Sequence, residues 1–284
     1  MDDWVAAELK SKSLRDKLSN AGVLSAILTS RRFGIHRDLD SLRYLLRRWH
    51  RDTHTFFCSW GEITPTLDDV AALYDLPIVG THSPMDPPAS ADYDALIAEL
   101  TKSIHACQQP ENRLSTSRGH RPTCALWIRL FWEGPNRNKK FKPGSQRRSH
   151  SSPAAMVLLW LSRFVFPSPP EDTILSSLIP LAVYISQGVA FPLAPLFLGR
   201  LYSLLDYLVD EEDSGGGHFA IESYIPISFL QVFMWERFRE YSPEPLSPDA
   251  SRKFILDSPD LFSTLRRTPF PRCSRWLRAH TLKH

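Results

Sequence analysis

Four histidine and cysteine side chains fall within twenty residues, as His105-x-Cys107 and His120-x3-Cys124. Imidazole and thiolate are zinc ligands, but a structural zinc site takes ligands two to four residues apart at each end, so that one tight turn presents both. A one-residue gap sends His105 and Cys107 in divergent directions on a helix. The pattern therefore reads as buried cysteines beside exposed histidines, and no metal is expected. Glu62, Asp68 and Asp69 form a second cluster. Paired carboxylates divide acid and base roles when their environments pull their pKa values apart. A helix starting at Thr66 uses both aspartates against its positive end without any reaction. Glu62, directly after Gly61, suits a strand turn as an acceptor. The third feature is a basic run: Arg137, Lys139, Lys140, Lys142, Arg147 and Arg148 lie between Gly134 and His150 with no acid among them. Such a run can neutralise phosphates, and Lys139-Lys140 with Arg147-Arg148 has the form of a loose bipartite nuclear-import signal. A solvated loop is the plain alternative. Phe141 alone makes no stacking platform for bases.

Other chemistry is missing from the pattern. There is no GxSxG, no phosphate-binding GxxxxGK and no GxGxxG after a strand. Gly215-Gly216-Gly217 follows acids that would repel a phosphate. An enzyme is not expected.

The balance of the chain is that of a globular protein: 284 residues, 43% hydrophobic and 23% charged, with 34 Lys+Arg against 31 Asp+Glu. Cys58, Cys107, Cys124 and Cys273 have no CxxC spacing, which suits reduced thiols in a nuclear or cytosolic compartment. Met1-Asp2-Asp3-Trp4 lacks the basic, apolar character of a signal peptide. Thr173 to Gly199 carries no charge, yet Pro180, Gly188, Pro192 and Pro195 break it. It reads as a pair of core helices, Thr173–Gln187 and Pro192–Val209, and no membrane contact is expected.

Helical periodicity runs through Leu18–Phe33, then through a segment capped by Asp38 or Asp40 with Leu42, Leu45, Leu46 and Trp49 inward. The outer face of that segment carries Arg43, Arg47, Arg48 and Arg51. Residues 53–63 read as a strand turning into a second one, Leu67–Tyr74 as a short helix, and Leu76–Gly80 as a returning extended piece. Tyr93–Cys107, Thr123–Trp132, Ala155–Phe166 and Pro226–Tyr241 read as further helices. Glu211 to Gly217 reads as an acidic, flexible break. The expected fold is mainly α, a helical domain with a small β-hairpin near 53–80.

Several strings together resemble one family. They are Leu45-Leu46-x-Arg48-Trp49, Thr53-His54-Thr55-Phe56, Gly61-Glu62-Ile63-Thr64-Pro65-Thr66-Leu67-Asp68-Asp69-Val70 and Leu76-Pro77-Ile78-Val79-Gly80. Leu158 to Pro167, Leu193 to Tyr202 and Phe229-Leu230-Gln231-x3-Trp235-Glu236-Arg237-Phe238 follow in the second half. This set is similar to the plant mobile domain, named aminotransferase-like in some family titles. The signature positions are Trp49, Thr53, His54, Gly61, Glu62, Thr66, Leu67, Asp69, Val70, Pro77 and Gly80. The resemblance implies a mostly helical domain of plant retrotransposons and DNA transposons. It also implies host proteins captured from them, which act in the nucleus in transposon silencing, genome stability and meristem maintenance. Their partners are nuclear proteins, in some members a phosphatase-like one. No catalytic residue is carried over, and no lysine stands in a setting for a pyridoxal phosphate Schiff base. No cofactor is expected.

The resemblance divides the chain into an N-terminal helical segment (1–34), the domain (35–241) with a basic, disordered insert at 134–152, and a Pro/Arg-rich tail (242–284). Tyr74-Asp75 departs from the Leu-Gly that usually precedes Leu-Pro in the family. A host protein and a truncated transposon copy are both compatible with the chain. The expected function is a nuclear, non-enzymatic protein-interaction module. The alternative is a sequence-nonspecific nucleic-acid-binding protein that uses Arg43, Arg47, Arg48 and the basic run on DNA or RNA phosphates.

Overall fold

Apolar residues recur at the helical period along most of the chain, and among the described residues they form twelve α-helices and one small sheet. The computed structural model describes residues 2–35, 38–108, 121–132, 148–170, 172–214, 224–256, 265 and 269–277. The helices α1 (Asp2–Glu8), α2 (Lys12–Asn20), α3 (Leu24–Arg32) and α4 (Leu39–Leu46) come first. The strands β1 (Trp49–His50), β2 (Thr55–Cys58) and β3 (Gly61–Ile63) lead to α5 (Leu67–Tyr74). Then come α6 (Ala91–Gln108), α7 (Cys124–Phe131), α8 (Arg148–Trp160) and α9 (Ile179–Ser186). The series closes with α10 (Leu193–Ser214), α11 (Ile227–Arg237) and α12 (Pro248–Ile255). The fold is mainly α with a small antiparallel sheet. No described helix is long and apolar enough to cross a membrane.

The chain divides into two compact units, Met1–Arg31 with Val79–Pro192, and Arg32–Ile78 with Leu193–His284. The first is built on α8, whose residues Ala154 to Trp160 are all buried. A helix apolar on every side belongs at the centre of a core. Trp4 of α1 stacks on Phe131 of α7, with ring centres 6.1 Å apart, and its indole N–H donates to Ser152 Oγ and Glu8 Oε1. The Trp127 indole donates to the Ala155 carbonyl at 3.0 Å. In the same unit the Thr81 amide donates to the Ala190 carbonyl at 2.9 Å.

Several local expectations change. The helix expected over Leu18–Phe33 is two helices. Gly22, at φ 73, ends α2 with paired bonds from Gly22 N to Ser19 O and from Val23 N to Leu18 O. This is the left-handed terminator that glycine favours. The helix expected from Ala155 begins at Arg148 and carries Pro153 in its second turn. Residues 148–152, expected to be disordered, are therefore helical, with Ser151 and Ser152 buried; Ser151 Oγ donates to Glu99 Oε1 at 3.0 Å. Satisfied hydroxyls make that burial affordable for a polar turn. The same helix ends in a π-turn over Leu161–Val165, short of Phe166. The helix expected from Thr173 starts at Ile179, because Pro180 fits only the first turn. The expected helix pair breaks at Gly188 as anticipated, but α9 and α10 fall in different units. The acidic stretch from Glu211 is not a break: α10 continues through Ser214. Leu76–Gly80 joins no strand, and its Pro77 carbonyl accepts from the Ala194 amide at 2.9 Å.

In the second unit the three strands pair antiparallel in the order β1-β2-β3. Trp49 lies opposite Phe56, and Phe56 opposite Ile63. Trp49 and Phe56 are buried, while Phe57, one residue on, points to the other face. Helix α5 buries Val70 and Leu73. Tyr74 then packs edge-on against Phe229, at 5.1 Å between ring centres. Asp75 takes the left-handed C-cap of α5 at φ 54. That conformation favours Gly, and Asp is one of the few side chains that tolerate it.

Candidate functional site

Two signature residues, Trp49 and His54, meet where α10 packs against the sheet, and the spacing of α10 explains how. Tyr202, Asp206 and Asp210 recur every four residues, so they share one helix face. Tyr202 OH donates to the Pro65 carbonyl at 2.7 Å and lies 2.9 Å from Thr64 Oγ1. Asp206 Oδ1 accepts the Trp49 indole N–H at 2.8 Å, and its Oδ2 lies 3.1 Å from His54 Nε2. Asp210 pairs with Arg51. The His54 ring stacks on Tyr202 with centres 5.2 Å apart, and Trp49 lies 5.3 Å from the same tyrosine. His54 holds φ 52 in the β1–β2 loop, an uncommon conformation for a non-glycine residue. Tyr202, Asp206 and Asp210 were not singled out from the sequence. Only their four-residue spacing hinted at a shared face.

A second group surrounds Asp69. Thr66 and Asp69 form a reciprocal capping box: Asp69 N donates to Thr66 Oγ1 at 3.2 Å, and Thr66 N donates to Asp69 Oδ2 at 2.9 Å. Arg237, at the end of α11, donates to Asp69 Oδ1 at 2.6 Å. Thr53 and Thr55 hydroxyls lie 2.8 Å apart, and Thr55 Oγ1 donates to Glu62 Oε2 at 2.7 Å. Asp68 is exposed. The three carboxylates considered for acid and base roles thus do not converge: Asp69 caps and pairs, Glu62 accepts from a threonine, and Asp68 faces solvent.

Glu236 repeats the arrangement seen at Asp206. It accepts the Trp276 indole N–H at 2.7 Å and pairs with Arg275. Trp276 is buried and lies 5.4 Å from Trp235, so part of the Pro/Arg-rich tail belongs to the core of this unit.

The other expected sites resolve as follows. His105 is exposed on α6 while Cys107 and Cys124 are buried, and burial pushes the Cys107 thiol up to about 11 and the Cys124 thiol up to about 12. His120 lies outside the described residues. Among the described residues no three His, Cys, Asp or Glu side chains group as a metal site. Arg137, Lys139, Lys140, Lys142 and Arg147 lie outside the described residues, as do Phe141 and the glycines at 215–217; Arg148 begins α8, and its side chain lies outside the description. The arginine stripe is not a helix face. Helix α4 stops at Leu46, and Arg48 and Arg51 reach into the sheet region, to the Phe57 carbonyl and to Asp210.

Gly80, the last signature position, is fixed by crowding. A Cβ there would lie 2.6 Å from the Ala190 oxygen and from Phe191 Cα.

The family model of the plant mobile domain matches residues 22–284. The chain belongs to the plant mobile domain family. The match takes in residues 242–284, in keeping with the burial of Trp276. The plant mobile domain is a transposon-associated family, and this chain carries the domain over nearly its whole length. No curated protein and no solved structure matches it.

Proposed function

We propose that this plant mobile domain is a non-enzymatic interaction module of the nucleus, acting in transposon silencing, genome stability or meristem maintenance through protein partners, a phosphatase-like protein among them. One observation supports the reading above the rest. The polar signature side chains His54, Glu62, Thr66 and Asp69 each have an intramolecular partner. These bonds hold the second unit together, which supports a role carried by surfaces over one carried by a reacting centre.

The experiment is recovery of tagged protein from plant nuclei, with and without nuclease, followed by mass spectrometry. Partners retained after nuclease treatment are expected. Recovery of nuclear proteins only without nuclease would overturn the reading of direct protein contact. A fluorescent fusion tests the compartment: alanine at Lys139, Lys140, Arg147 and Arg148 together should shift it from nucleus to cytoplasm. A Glu62→Gln protein that keeps its partners and biological activity counts against a hidden enzyme.

A further inference from the structure

We propose that the outer face of the β-sheet and the adjoining end of α4 form a docking surface for single-stranded nucleic acid, with Phe57 and Trp60 as the base-stacking side chains. From the sequence alone no aromatic platform was visible. Strand alternation creates one: Phe56 goes inward and is fully buried, so Phe57 must face out, and it is 41% exposed. The two-residue turn Ser59-Trp60 then places an indole at the tip of the same hairpin, 62% exposed. Tyr44, at the end of α4, is 69% exposed.

Phe57 lies 4.9 Å from the His50 ring and Trp60 5.7 Å from the Phe238 ring between centres, contacts that leave both partly exposed, and cations accompany them. Arg43, Arg47 and Arg48 are exposed beside Tyr44 in sequence, and Arg48 Nη1 sits 3.2 Å from the Phe57 carbonyl. Asp40 lies 3.5 Å from Arg43, so Arg47 and Arg48 are the cations offered to phosphate, while Glu62, exposed opposite Phe57, accepts from Thr55. Cationic side chains among exposed aromatic rings complement a chain of phosphates with unstacked bases. Bases within a duplex are stacked on one another and offer no free face to Phe57 or Trp60, so the surface fits a single strand.

The test is fluorescence anisotropy of labelled oligo-dT and oligo-U, about twenty nucleotides long to span one binding site, titrated with the full chain. Two phosphate contacts, from Arg47 and Arg48, predict affinity falling about 7-fold between 50 and 200 mM salt. Arg47→Ala and Arg48→Ala should each flatten the log–log salt slope by about 0.7. Trp60→Ala should weaken binding by at least about 5-fold, and Trp60→Phe should recover part of the loss, because any aromatic face stacks. Equal binding of dT and U places recognition on phosphates and base faces. Tighter binding of U adds a contact to the 2′-hydroxyl, on the same surface. Unchanged melting of Trp60→Ala separates lost binding from lost folding; if it melts early, the salt slopes of the arginine variants decide. Absence of binding at 50 mM salt overturns the proposal. So does a duplex bound as tightly as oligo-dT, or binding that survives Trp60→Ala but vanishes when Lys139, Lys140 and Arg147 become alanine.

Discussion

Trp49 donates its indole N–H to Asp206, a residue 157 positions further along the chain, and the same carboxylate faces His54. One acid on α10 thereby fixes two signature residues of the sheet. Glu236 does the same for Trp276 and Arg275 near the C-terminus.

Asp206→Ala should cost about 1–3 kcal/mol of stability, because the buried indole N–H loses its acceptor. Asp206→Asn keeps an acceptor for Trp49 and should cost less. Urea titration of the two variants checks the order. If both lose the same amount, the charge toward His54, not the bond to Trp49, is what matters.

Thr66→Ala should cost about 1 kcal/mol through loss of the cap. Asp69→Ala removes both the cap and the partner of Arg237 and should cost more. The Arg237 side chain is nearly half exposed, so its own pairing is worth about 0–1 kcal/mol. A double-mutant cycle between Asp69→Ala and Arg237→Ala measures that coupling, and a value well above 1 kcal/mol would contradict it.

Gly80→Ala and Gly199→Ala should act in opposite directions. The added methyl at Gly80 meets backbone at 2.6 Å, an overpacking that costs about 1–3 kcal/mol. At Gly199, inside α10, nothing lies within 4 Å. Alanine there should stabilise the helix by about 0.5–1 kcal/mol. Thermal melts of the two variants should move apart on either side of the parent.

Cys107, Cys124 and Cys273 are buried, and Cys58 is part-exposed. Burial raises all three buried thiols, Cys107 to about 11 and Cys124 to about 12. A thiol reagent at about pH 8 should therefore modify Cys58 first, with the others following only on unfolding. The folded state holds these protons longer than the unfolded chain, whose thiols ionise from about pH 8.5. Stability is thus full below that pH and falls as pH climbs toward 11 and 12. Urea midpoints that stay constant from neutral pH to about pH 10.5 would refute the assignment.

The sequence alone determined the features that act over three or four residues. Thr66, and Asp38 or Asp40, were readable as helix caps; Thr66 caps as expected and Asp38 is the one of the pair that caps. The mainly helical class and the small sheet were readable as well, because apolar periodicity and β-branched, aromatic clusters are properties of neighbouring residues. The family followed from the resemblance of short residue strings within such segments.

The contacts that build the site depend on chain closure over long separations. Asp206 and Glu236 each look like one solvated acid on an amphipathic helix, and nothing beside them in sequence names Trp49 or Trp276. The exposure of Phe57 follows from the burial of Phe56, which only the register of three strands decides. Helix ends moved for the same reason. Ser151 and Ser152 entered a helix because Glu99 and Trp4, far off in sequence, supplied their hydrogen bonds. Local sequence sets which backbone conformations are cheap; tertiary packing decides which polar groups find partners, and so which of those conformations persist.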